Sequence, residues 1–209
     1  MAISRGPIRR ATRDRARSAA LAALLAAAAF SACSHRRSDF DAPVPGVVVP
    51  VKPLPLSQLL VLEAAGTPPT DTTVTVTAGE QLSVVLRNGP PDNTVFAVVT
   101  FPPAAFRADS GAAVTVHVRP RPGVYGLDIE TDRPVGGGTR INFKYARFFS
   151  APADARRRYG TDVAYERALA VGRILPDGTV QLFLTTRPAS DNLEADVPGA
   201  GSYIVAAPQ

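Results

Sequence analysis

Apolar and polar residues alternate strictly in "TTVTVTAG" (Thr72–Gly79) and "AAVTVHV" (Ala112–Val118). That period of two belongs to a strand with one face in a core and the other in water. "QLSVVLRNG" (Gln81–Gly89) and "TVFAVVTF" (Thr94–Phe101) are short β-branched or aromatic runs, the composition of half-buried or buried strands. "ALAVGRILPDGTVQLFLTT" (Ala168–Thr186) reads as a hairpin turning at Pro176-Asp177-Gly178, where proline presets the first turn torsion and glycine accepts a positive φ. Only Ser57–Ala65, with Ser57 as a helix cap, and Pro152–Tyr159 suggest helix. Strand signals at this density predict an all-β fold, a single immunoglobulin-like β-sandwich over 57–209.

The first residues follow another pattern. Six arginines from Arg5 to Arg17 precede the uncharged run Ala19–Phe30, a basic region and an apolar core as in a secretory signal. Twelve apolar residues are too few to span a bilayer, which takes about 20. Arg9-Arg10 invites a twin-arginine reading that the following Ala-Thr-Arg-Asp does not support. Phe30-Ser31-Ala32-Cys33 resembles the lipobox of bacterial lipoproteins, with Phe30 where leucine is usual. The resemblance implies cleavage after residue 32, acylation of Cys33 and a lipid anchor, with Ser34 in place of aspartate directing the protein to an outer membrane. Cys33 is the only cysteine, so no disulfide competes for it. Prolines at 43, 45, 50, 53 and 55 make 33–56 an extended tether, although Val47–Val51 also fits an edge strand.

Net charge changes sense once the signal is set aside. Six of the 23 basic residues and one of the 18 acidic residues precede Cys33, leaving 17 of each. A balanced domain gives no electrostatic case for nucleic acid.

Three stretches resemble the ZU-five domain, a β-sandwich module of scaffold and receptor proteins. They are "VVTFPPAAF" (Val98–Phe106), "PGVYGLDIE" (Pro122–Glu130) and the closing Leu169–Ala206, with Ala104 where that family has glycine. The resemblance implies an interaction or scaffold role. Some ZU-five domains cut themselves at His-Phe-Ser. The matching Ala200-Gly201-Ser202-Tyr203 lacks the histidine, so self-cleavage is not expected.

Candidate chemistry is sparse. His35 lies in the tether, and His117 shares a strand face with Thr115 and Arg119, turned to solvent. Asp128, Glu130 and Asp132 share one strand face; they suit a calcium site or acid–base carboxylates, or cross-strand polar pairs with Thr115, His117 and Arg119. Gly136-Gly137-Gly138 lacks the Gly-Lys-Ser/Thr of a phosphate loop and reads as a strand connection. Arg156, Arg157 and Arg158 suit acidic lipid or polysaccharide, or a solvated turn beside Asp154 and Asp162. The expectation is a non-enzymatic, lipid-anchored envelope protein without cofactor, held by acyl chains on Cys33 and meeting an envelope protein or glycan through loops 133–139 and 151–161. Alternatives are a carbohydrate- or calcium-binding module, or an envelope hydrolase using Asp128 and Glu130. A cleft lined by carboxylates and aromatic rings favours the alternatives; closed ends favour a scaffold.

Overall fold

The computed structural model describes residues 52–145 and 151–209. The expected signal peptide, Cys33, His35 and the Val47–Val51 strand option lie outside the described residues. Strands β1 (Leu54–Pro55), β2 (Leu59–Val61), β3 (Thr72–Thr77), β4 (Leu82–Arg87), β5 (Val95–Phe101) and β6 (Ala113–Pro120) come first. They are followed by β7 (Gly126–Thr131), β8 (Thr139–Lys144), β9 (Ala170–Ile174), β10 (Thr179–Leu182), β11 (Asn192–Val197) and β12 (Gly201–Pro208). One sheet runs β1-β10-β9-β12-β7-β6-β3, with β2 also on β12; the other runs β11-β8-β5-β4. Every pairing is antiparallel. The fold is an all-β sandwich.

The inner faces meet in one core. Val114, Val116, Val118, Leu127 and Ile129 of the first sheet join Val84, Leu86, Val99, Phe101, Ile141 and Phe143 of the second. These are the apolar positions of the alternating runs, so the period in the sequence is the period of burial. Strand β12 departs from it. Tyr203–Ala207 is buried throughout, with Tyr203, Val205 and Ala207 in the main core and Ile204 and Ala206 in a second cluster with Val180 and Leu182. Along one side β12 pairs with β9; along the other, Gly201–Ile204 pairs with β7 and Ala206–Pro208 with β2. Gly126 faces this strand so closely that a Cβ there would stand 2.7 Å from the Tyr203 carbonyl oxygen.

The expected hairpin forms as β9 and β10. Gly178 takes φ 80° at its turn, and Asp177 Oδ1 accepts from the Thr179 amide and hydroxyl at 2.9 and 2.7 Å.

Three expectations need correction. Ser57–Ala65 is not a helix: a 3-10 turn at Leu56–Gln58 leads into β2, because Leu59–Val61 gains a ladder on β12 that an isolated helical turn lacks. The sheet reaches into the segment assigned to the tether, since Leu54 and Pro55 pair with Val180 and Thr179. Residues 151–161, expected as a binding loop, instead carry the helix suggested over Pro152–Tyr159, which forms as α1 (Ala153–Tyr159) and is followed by the unexpected α2 (Asp162–Ala168). Thr161 Oγ1 caps α2 by accepting from the Ala164 amide at 3.1 Å. Ala155 and Tyr165 are fully buried in the main core, and Tyr165 donates to the Leu60 carbonyl at 3.4 Å.

Candidate functional site

Asp128 and Glu130 lie on β7, and Asp132 just beyond its end, facing away from Leu127 and Ile129. The register sets Asp128 opposite Arg119 and Glu130 opposite His117. Asp128 accepts from Arg121 at 2.7 Å, with Arg119 at 3.7 Å; Arg119 donates to Glu130 at 3.1 Å. Asp132 accepts from the Thr115 amide at 2.8 Å, and His117 lies 3.7 Å from Asp71. The acids are engaged in cross-strand pairs. Burial pushes the Asp128 carboxyl up, but hydrogen bonds from Ser202 and Arg121 and the charges of Arg121 and Arg119 outweigh it, leaving it below the usual value. Ser202, in the stretch compared with the self-cleaving segment, lies directly opposite Asp128 on the neighbouring strand.

The three arginines lie on α1, exposed. Arg156 reaches Asp162 at 2.9 Å and Arg157 bonds Asp154. That bond from Arg156, ahead of an opposing burial effect, lowers the Asp162 carboxyl. The Gly136–Gly138 stretch is tied down at its start: the Gly136 amide donates to the Ala105 carbonyl at 2.6 Å. None of these predicted residues lines the open cleft at one end of the sandwich.

That cleft, of about 890 Å³, opens at one end of the sandwich. Strands β2, β4 and β8 end there, and β5, β7 and β11 begin there. Its polar wall is the β4–β5 loop. Asn88 Nδ2 donates to Thr94 Oγ1 at 3.0 Å and to Asp92 Oδ2 at 3.3 Å, and Thr94 donates to Asp92 Oδ2 at 3.0 Å. The loop is pinned to the β2–β3 connection by the Gly89 amide, which donates to the Thr67 carbonyl at 2.9 Å. Only a glycine fits, because a Cβ there would collide with the Thr67 side chain.

Two tyrosines complete the lining. The Tyr125 ring stacks on Phe96 at 5.1 Å and 8°, and Phe96 meets Phe143 edge-on at 6.1 Å, so the wall is continuous with the core. Tyr145 donates to Glu166 Oε1 at 2.5 Å and to the Ser190 carbonyl at 2.9 Å. Burial, then the bond and charge of Glu166, push its phenol far above the ordinary value; it stays neutral. Arg187 fixes the same corner by donating to the carbonyls of Glu166 and Leu169 at 2.6 and 2.8 Å, a side-chain cap on the C-terminus of α2. Glu63, Asp92, Asp191 and Lys144 bring charge to the lining; Lys144 Nζ donates to Asn192 at 3.3 Å.

Sequence reasoning missed these residues. They come from six separate strand ends, and their one local signal is the polar, proline-containing "NGPPDNT" (Asn88–Thr94). Among the described residues no group of three His, Cys, Asp or Glu side chains is placed to hold a metal ion. No protein-family model, curated protein or solved structure matches the chain.

Proposed function

We propose that this protein is a lipid-anchored envelope protein whose β-sandwich is a non-enzymatic binding module, taking its ligand in the cleft at the end of the sandwich. One observation carries the reading: an open cleft of about 890 Å³, lined by loops and strand ends with aromatic, amide and carboxylate groups. Clefts of this size suit small ligands, and loops on a rigid scaffold are where binding residues concentrate. A cleft lined by carboxylates and aromatic rings favours the alternatives over closed ends, so it moves the reading from a closed scaffold toward the binding-module alternative. The hydrolase alternative loses support, because Asp128 and Glu130 are spent on Arg119 and Arg121 away from the cleft. The anchor rests on Phe30–Cys33 and a resemblance to lipoproteins, and the scaffold kinship on the ZU-five-like stretches.

Filling the cleft tests this. Ala65 is exposed on its rim, so Ala65→Trp should leave the melting temperature and the membrane fraction unchanged. Envelope components that copurify with the wild-type protein after mild solubilisation should be lost. A tryptophan variant that retains them all contradicts the proposal.

A further inference from the structure

We infer that the cleft selects a ligand carrying an organic ammonium group, a polyamine or an amino sugar; this rests on reading the cleft as the binding site. The lining sets three carboxylates, Glu63, Asp92 and Asp191, against the single ammonium of Lys144. A cleft lined mainly by one sign of charge concentrates the opposite sign. Three further cations stand near the lining, each already engaged. Arg187 donates to the Glu166 and Leu169 carbonyls, and Arg87 donates to the Asn93 carbonyl at 3.3 Å. Arg121, in a small side recess that shares Ala64, Ala65, Asn88 and Gly123 with the cleft, pairs with Asp128 at 2.7 Å.

The arrangement of the carboxylates decides which cation fits. They arise from three different strand ends and form no cluster that could surround a metal ion, whereas calcium needs six to eight converging oxygens. An extended organic cation can meet them one at a time. The Tyr125 ring, held by its stack on Phe96, adds an aromatic group of the kind that attracts ammonium.

An extended peptide is a poorer match, because the backbone around the cleft is already committed. The Ala64 amide donates to Gly123, Tyr125 to Leu62, Tyr145 to Asp191 and Asn88 to Thr94, at 2.9–3.0 Å. A peptide would find few ladder partners there, so recognition falls to side chains. Those side chains offer mostly acceptors, and the complementary ligand is rich in donors.

Titration calorimetry on the full-length mature protein in neutral detergent, at low ionic strength, tests the inference. The probes are spermidine, a glucosamine trisaccharide and its fully N-acetylated counterpart. Saturable binding of spermidine or of the glucosamine trisaccharide is expected, and which of the two binds identifies the source of the ammonium. The N-acetylated sugar, which keeps the size but loses the charge, should bind at least about tenfold more weakly than an ammonium ligand. Glu63→Gln with Asp191→Asn should weaken binding about tenfold while melting as the wild type does, and Lys144→Gln should tighten it. Equal binding of the N-acetylated sugar overturns the charge inference but leaves the cleft as a binding site. Failure of both ammonium ligands to saturate, or a double variant that binds unchanged, overturns the inference as well. Whether the cleft itself binds is decided separately by the Ala65→Trp variant.

Discussion

Asp128 sits between opposing influences. Burial favours its neutral form, and Ser202, Arg121 and Arg119 favour the charged one and prevail. Its folded-state pKa therefore lies below the ordinary 3.8. The carboxylate contributes its full stability above that ordinary value, and the contribution is lost as the pH falls through the depressed one. Replacing Asp128 with Asn should cost about 1 kcal/mol or less at neutral pH, since the Arg119 and Arg121 partners remain partly in solvent and are screened. The gap to the wild type should close below about pH 4. Thermal melts of both proteins across that range check it; a constant gap at every pH would show that the site is stabilised by packing rather than charge. The Arg119 side of this pairing was legible in the sequence, because alternate residues of two adjacent strands share a face; Arg121, in the turn after β6, was not. The cleft residues were not: Glu63, Asp92, Tyr125 and Asp191 are far apart in the chain and meet only where strands end.

Short elements depend on their ends. Helix α2 has seven residues and a single fully buried side chain, Tyr165, so its own propensity is marginal. Thr161 at its start and the Arg187 guanidinium at its end satisfy groups the helix leaves open. Thr161→Ala should cost about 1 kcal/mol, a fall of about 2–4 °C in melting temperature for a domain of this size. Faster amide exchange should be confined to α1 and α2. An unchanged melt would mean that Tyr165 and Arg187 alone hold the helix. The sequence hid α2 because one buried position gives no period to detect, and because its closing cap comes from a residue 19 positions beyond its end. Strand β2 was obscured for a related reason: "LLVLEA" carries no alternation, and only pairing with β12 selects strand over helix.

At the scale of the molecule, the sandwich could be read from period-two runs and turn residues, since alternation decides which face enters the core. Sheet order and the closing role of β12 could not, because pairing between strands distant in sequence leaves no local trace. The cleft follows from that order, which brings the ends of β2, β4 and β8 beside the starts of β5, β7 and β11. Its role as the binding site is the central claim, and contact in intact cells tests it most directly. A photo-crosslinking residue placed at Thr94, in the cleft wall, is compared in intact cells with one at Thr75, on the outer face of β3. The cleft reading predicts a discrete adduct from Thr94 that Ala65→Trp abolishes, and none from Thr75. Adducts of equal yield from both positions, or from Thr75 alone, would contradict it.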